Sequence, residues 1–213
     1  MDALIKHVEE ARELNLREIY AATEMLLSES VTDEKKVAFL RGLTAKGETA
    51  AEIAGFVEAF LERAVDPGVS EMSFTGPTID VCGTGGDKLN LFNVSTTSMF
   101  VIAAGGAVVV KHGNRGITSK SGGADVLEAL GIKIDVSPEV FRKCLKDAGV
   151  GFLFAPIYHP AFKAVVGVRK ILAQEGTRTI FNLIGPLLNP ARPECQLVGV
   201  CDPDMDSVFA DIL

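Results

Sequence analysis

The sequence predicts an α/β protein, with a small N-terminal all-helical domain followed by a mostly parallel-sheet α/β domain. Three features predict it. Residues 1–65 show helix-start signals and apolar spacing of helical period; residues 66–77 shift to Pro, Gly, Ser and Thr; beyond them, short apolar runs alternate with helical or loop material. At 213 residues the chain has room for one or two domains, on a prior of roughly 150 residues each. The expected division is a helical domain over 1–72 and an α/β domain over 73–213.

In the first part, Ala3–Glu13 reads as a helix. Leu16–Glu29 follows behind Asn15, with Leu16, Ile19, Tyr20, Ala22, Thr23 and Leu26 on one stripe. Thr32 can cap a third helix, whose Val37, Leu40 and Leu43 form a buried edge and which Gly47 stops. Thr49-Ala-Ala-Glu52 is a capping box ahead of Ile53, Phe56, Val57, Phe60 and Leu61. In the second part, strands are expected at Thr78–Cys82, Ala107–Val110, Ile132–Ile134, Gly151–Phe154 and Gln196–Val200. Helices are expected at Asp125–Leu130, from Ser137-Pro138 to a stop at Gly149, at Pro160–Ala173, and from Asp202-Pro203 onward. That last helix ends at Leu213 with no following strand, so the α/β domain reads as C-terminally incomplete.

Composition narrows the function. Hydrophobic residues at 47% against 23% charged exclude a disordered chain, and a net charge of −7 argues against a general nucleic-acid binder. Cys82, Cys144, Cys195 and Cys201 form no CxxC or Cys/His cluster, so reduced thiols in a cytoplasmic protein are expected. The N-terminus lacks an apolar signal core. Leu89–Val110 carries no charge, but Asn90, Asn93, Ser95, Thr96, Thr97 and Ser98 make it too polar for lipid; it reads as a buried helix followed by a buried strand.

The strongest chemical signal is Asp80-Val-Cys-Gly83-Thr-Gly-Gly86-Asp87, a glycine-rich loop leaving a strand and leading to a helix start at Asn93-Val-Ser95-Thr96. Glycines let backbone N–H groups converge on an anion, and a helix N-terminus adds its dipole and free donors. The loop has neither the Gly-Lys-Ser/Thr ending of a Walker loop nor a GxGxxG fingerprint. Asp87 inside an anion cradle would repel a bare phosphate, and a Mg²⁺-linked sugar diphosphate resolves that conflict. A second strand-loop-helix follows, in which Lys111–Asp125 holds three cations, three hydroxyls, an amide and four glycines. Two such loops at the same ends of neighbouring parallel strands would face one crevice.

The segments DVCGTGGD, FNVST, KHGNRGITSKSGGADVLEALG, YHPAFK and RTIFNLIGPLLNPA, in this order, resemble the anthranilate phosphoribosyltransferases, within a glycosyltransferase family shared with the pyrimidine-nucleoside phosphorylases. The resemblance runs from the KGETAAEIAGF helix to the Leu-Val-Gly-Val strand. It implies transfer of the phosphoribosyl group from phosphoribosyl pyrophosphate to anthranilate in tryptophan biosynthesis, with Mg²⁺ and as a homodimer. By similarity, Gly83, Gly86 and Asp87 would hold the diphosphate and ribose; Asn93, Ser95 and Thr96 the pyrophosphate, with Ser95 touching Mg²⁺; and Lys111 and the loop through Ser119 the other phosphate oxygens. Gly83, His112, Asn114, His159 and Arg169 would line the anthranilate pocket, Arg169 as a forked partner for the carboxylate. The 159–190 segment would pack on the helical domain.

The chain departs from that pattern at Leu91 and Gly123, where a Ser or Thr is usual, and at Gly167, where a proline is common. The Mg²⁺-binding Asp-Glu pair of the family would lie beyond Leu213, so weak or absent activity is expected of these residues alone. Two further readings are a related phosphoribosyltransferase or nucleoside phosphorylase with another acceptor, and a non-enzymatic relative binding a ligand or nucleic acid. Net charge speaks against nucleic acid, and no membrane association is expected.

Overall fold

The structure, a computed structural model, describes residues 1–85, 92–116 and 121–213. In chain order the helices and strands are α1 (Asp2–Glu9), α2 (Leu16–Leu27), α3 (Asp33–Lys46), α4 (Ala50–Leu61), β1 (Thr78–Gly83), α5 (Val94–Ala104), β2 (Val108–Gly113), α6 (Gly123–Ala129), α7 (Pro138–Ala148), β3 (Val150–Phe154), α8 (Ala155–Tyr158), α9 (Val166–Gln174), α10 (Ile180–Leu183), β4 (Cys195–Gly199) and α11 (Asp206–Ile212). Two compact units emerge: Met1–Ala64, Pro160–Leu188 and Asp204–Leu213 form the first, and Val65–His159 with Asn189–Pro203 the second.

The first unit is helical. Its starts are set by side chains: Asn15 with Glu18, and Thr49 with Glu52, close complete capping boxes at α2 and α4, satisfying N–H groups the first turn leaves open. Gly47 ends α3 at φ +85°, a conformation that favours glycine. Helix α1 packs on α3, α2 on α4, α3 on α9, and α11 on α4. Leu26, Phe39, Leu40, Leu43, Phe56 and Phe60 are wholly buried. Phe60, Phe162 and Phe181 form an aromatic cluster with centroids 5.0–5.8 Å apart. Residues Pro160–Val165 form a 3-10 turn ahead of α9, so the helix expected from Pro160 starts later.

The second unit is an all-parallel sheet of order β3-β2-β1-β4. Strand β2 shows why two apolar layers form. Val108 and Val110 face a cluster with Val69, Phe141, Leu145, Leu153 and Tyr158, while Val109 faces Val81, Met99, Ala124, Leu127, Ile134 and Phe152. Successive side chains point to opposite faces, and both faces are covered. Ser137 caps α7 with Pro138 in its first turn, and Gly149 ends it in the left-handed region at φ +66°. Gly76 is required for a different reason: a Cβ there would lie 2.0 Å from the Gly106 carbonyl oxygen.

Further expectations are corrected. Leu16, read on the apolar stripe of α2, is exposed at the helix start. Ile132–Ile134 is not a strand: Ile134 plugs the second apolar layer from an irregular segment, while Ile132 stays exposed. Helix α5 is buried on one face only, since Val94, Phe100 and Val101 are exposed and Met99 is not. Its lack of charge does not reflect full burial. No helix among the described residues is long and apolar enough to cross a membrane.

The Tyr158 hydroxyl is buried in the first layer with no hydrogen-bond partner among the described residues, and burial pushes its pKa up to about 12. An unsatisfied buried hydroxyl costs free energy that an apolar ring of the same shape avoids. Tyr158→Phe is therefore expected to leave stability unchanged or raise it by up to ~1 kcal/mol in urea unfolding. A loss of that size would mean the hydroxyl is satisfied.

Candidate functional site

In an open parallel sheet, ligands collect beyond the carboxyl ends of the strands, where the connections change direction. Here β1 is followed on one side by β2 and β3, while β4 returns on the other side, so the switch lies between β1 and β4. The glycine-rich loop leaves β1 at that point. Thr84 N–H donates to the Gly199 carbonyl at 2.9 Å and Thr84 Oγ1 accepts from Cys201 N–H at 3.2 Å, tying it to the exit of β4. The link to β4 is not foreshadowed by the motifs. A separate cavity of about 620 Å³, lined by Phe74, Ala107, Leu145 and Lys146 among others, opens around the start of β2 and so lies at the opposite strand ends.

Gly83 is exposed as the last residue of β1. Gly86 and Asp87, like Leu91 and Ser119, fall outside the described residues. Asn93 is the N-cap residue of α5; its Oδ1 accepts from the Ser121 hydroxyl at 3.3 Å, linking the two loops. Ser95 is half-buried in the first turn of α5, and its Oγ accepts from Lys111 Nζ at 3.3 Å. Thr96 is buried, its Oγ1 has no partner among the described residues, and a Cβ on Gly123 would come within 2.8 Å of it. The missing side chain at 123 thus leaves space over the Thr96 hydroxyl.

Lys111 is 3% exposed and points inward, donating to the Val81 carbonyl as well as to Ser95. Beneath it lies Asp80, fully buried, whose Oδ1 accepts from His112 N–H at 3.2 Å. Burial pushes the Asp80 carboxyl up and the Lys111 ammonium down; their mutual attraction opposes both shifts. Asp80 is the site residue that motif reading passes over, although a lone acid inside an apolar strand is itself a signal. The His112 and His159 rings meet edge to face at 5.2 Å, both largely buried.

The second loop differs from the expected phosphate grip. Arg115 pairs with Glu128 and lies 3.6 Å from Asp125. Asp125 Oδ2 also accepts from Gly116 N–H at 2.9 Å and Gly122 N–H at 2.6 Å. Nearby acids therefore take the cation that composition assigned to phosphate. Asn114 is exposed; its Oδ1 accepts from Arg115 N–H and its carbonyl from Ala124 N–H.

Arg169 stands on α9 in the helical unit. Its guanidinium is half-buried, lies 5.4 Å from the centroid of the Phe181 ring, and has no carboxylate or carbonyl partner among the described residues. Burial alone lowers its pKa. A desolvated, unpaired guanidinium over an aromatic ring is suited to a planar carboxylate.

A helical unit and a parallel α/β sheet, with the loop after β1 at the switch point and the N-terminus of α5 following it, form an arrangement whose backbone N–H groups suit an anion. Family models agree in both parts: the helical bundle domain of the glycosyl transferase family matches residues 2–64, and its a/b domain matches residues 75–213. The chain belongs to the glycosyl transferase family. It is 44% identical over all 213 of its residues to an anthranilate phosphoribosyltransferase of Moorella thermoacetica, covering 61% of that protein. It is 47% identical over 98% of its length to one from Methanocorpusculum labreanum, covering 60%. Among solved structures, the anthranilate phosphoribosyltransferase of Thermus thermophilus superposes with a TM-score of 0.86 at 37% identity, over 98% of this chain and 61% of that one. The Saccharomyces cerevisiae enzyme in complex with PRPP and Mg does so with 0.81 at 28%, over 99% and 62%. The chain thus spans about three-fifths of the length of the curated relatives it matches.

Proposed function

We propose that the protein acts as an anthranilate phosphoribosyltransferase: the amine of anthranilate attacks the anomeric carbon of phosphoribosyl pyrophosphate, pyrophosphate leaves, and phosphoribosyl anthranilate is formed. The observation that carries the acceptor assignment is the half-buried Arg169 guanidinium, which lacks a protein carboxylate among the described residues. An aromatic carboxylate supplies that missing charge in the planar geometry a guanidinium fork accepts. His112, Asn114, His159 and Gly83 would line the rest of the acceptor pocket.

The donor's diphosphate would meet Gly83, Gly86 and Asp87 on the first loop, Asn93, Ser95 and Thr96 at the start of α5, and Lys111 and Ser119 on the second. Backbone N–H groups in the first turn of α5 offer fixed donors where charge builds on the leaving group. The amine of anthranilate is neutral at pH 7, so no side chain has to act as nucleophile; alignment and charge stabilisation do the catalysis. Its proton leaves after the new C–N bond forms.

Ser95 offers one hard oxygen that fits Mg²⁺, an ion that commonly keeps waters and substrate phosphates among its ligands; the Asp-Glu pair the resemblance implies would supply carboxylates from beyond Leu213. When bound, the ion would neutralise charge on the pyrophosphate. A homodimer in the cytoplasm is the expected setting.

Loss of anthranilate fluorescence tests the reading. It is expected when phosphoribosyl pyrophosphate and Mg²⁺ are both present and in neither single omission. Binding of the sugar diphosphate with anthranilate untouched, while a different acceptor or a nucleoside is consumed, would overturn the acceptor assignment.

A further inference from the structure

The reading above leaves Asp80 without a role, yet it is the most deeply buried carboxylate in the sheet unit. It does not pack as an apolar residue would, because a carboxylate inside a strand loses its hydration. Its Oδ1 accepts the His112 N–H, its Oδ2 has no hydrogen bond of ordinary geometry among the described residues, and the Asn189 side chain and Val81 N–H nearby favour its charged form. Asn189 sends its Nδ2 to the Val110 carbonyl at 2.7 Å. The cation in range is Lys111, one residue before His112 on β2, whose Nζ is held by the carbonyl of Val81, the neighbour of Asp80 on β1, and by Ser95 on α5.

These residues form one chain across the carboxyl ends of two strands and the first turn of a helix. Asp80 bears on two things the second loop needs to receive an anion, one through a hydrogen bond and the other through its charge. It fixes the backbone where that loop begins, at His112, and its negative charge attracts the Lys111 ammonium into the gap between β1 and α5. Among the described residues Asp80 is the buried carboxylate whose charge acts on that ammonium, beside the Val81 carbonyl and Ser95 hydroxyl that accept from it.

We propose that Asp80 is a positioning residue for the phosphate site, holding the Lys111 ammonium and the His112 backbone in the arrangement that receives the diphosphate of a sugar diphosphate. The inference rests on the donor assignment made under the proposed function. It assigns Asp80 no contact with substrate and no proton transfer.

The test is a double-mutant cycle read by calorimetric binding of phosphoribosyl pyrophosphate with Mg²⁺ to the wild-type chain, Asp80→Asn, Lys111→Met and the double variant. Asparagine keeps an oxygen for the His112 N–H and removes only the charge. Asp80→Asn is expected to weaken binding on the order of tenfold, and the double variant is expected to bind no more weakly than Lys111→Met alone, because Asp80 acts through the ammonium. A merely structural role would not give that non-additivity. Affinity of Asp80→Asn within about twofold of wild type, or losses that multiply independently, would overturn the proposal. If Asp80→Asn does not fold, Lys111→Met against the double variant still decides it: equal affinity supports the proposal and a further loss overturns it. A wild-type chain that does not bind phosphoribosyl pyrophosphate at all sinks the donor assignment and this inference with it; normal wild-type binding with an indifferent Asp80→Asn sinks this inference alone.

Discussion

Glu52→Gln is expected to destabilise the helical unit by about 3–5 kcal/mol, the cost of breaking a buried ion pair by removing one partner. Glu52 is fully buried and accepts from Leu14 N–H at 2.9 Å, Thr49 N–H at 2.9 Å and Lys46 Nζ at 2.6 Å. Lys46 has a side chain only 5% exposed, so it cannot recover its hydration once the partner charge is gone. Burial by itself would push the Glu52 carboxyl up, but the two backbone donors and Lys46 outweigh it, and the net position is below the usual 4.5. A folded value below the unfolded one means the contribution is complete above about pH 4.5 and is lost as pH falls through the folded value. Exposed pairs such as Arg41–Glu175 and Arg63–Glu24 contribute far less, because solvent screens them. Urea unfolding of Glu52→Gln measures the difference. A loss below about 1 kcal/mol would show that hydrogen bonding, not charge, holds the α1–α2 connection to the end of α3 and the start of α4.

Arg169→Gln is expected to weaken anthranilate binding on the order of 100-fold, the loss of a charge-assisted, two-pronged contact. Stability should not fall with it. The guanidinium has no protein carboxylate among the described residues, and burial lowers its pKa, so its presence costs the free protein desolvation without an ion pair in return. Urea unfolding of Arg169→Gln should match or exceed wild type, while affinity for phosphoribosyl pyrophosphate stays the same. Arg169→Lys should recover only part of the anthranilate affinity, because an ammonium lacks the planar fork. Fluorescence titration of anthranilate checks the affinities of both variants. Equal affinity in the Gln variant would remove Arg169 from the acceptor site.

The elements legible in the sequence were those marked by local chemistry. Asn15 with Glu18, Thr49 with Glu52, and Ser137-Pro138 with Gly149 each fix a helix end by hydrogen bonds spanning a few residues. The strands are legible from short apolar runs such as Val108–Val110 and Gly151–Phe154, although Asp80 interrupts β1 and β4 leaves Leu197 exposed. Misreadings arise where long-range partners decide. Ile132-Lys-Ile134 has strand alternation over three residues, but one of its isoleucines is a plug and neither pairs in the sheet. The charge-free stretch containing α5 shows which residues avoid water in principle, not that Val101 faces outward.

The site divides in the same way. A glycine-rich turn followed by Asn93 and Ser95 announces an anion cradle through backbone geometry alone. Arg115 looked equally available because its competitors, Asp125 and Glu128, lie ten and thirteen residues on and reach it only after the loop folds back. Lys111 was legible as a cation but not as one drawn inward to Val81 and Ser95. Asp80 was hidden inside a motif quoted for its glycines.

The most direct measurement of the central claim is amide hydrogen exchange on the protein with and without phosphoribosyl pyrophosphate and Mg²⁺. Protection is expected at the carboxyl ends of β1 and β2, at Gly83–Gly85 and Lys111–Gly116, and in the first turn of α5 at Val94–Thr97, with little change around the 620 Å³ cavity at the opposite strand ends. Protection centred on Phe74, Ala107 and Lys146, with the loops after β1 and β2 unaffected, would contradict it.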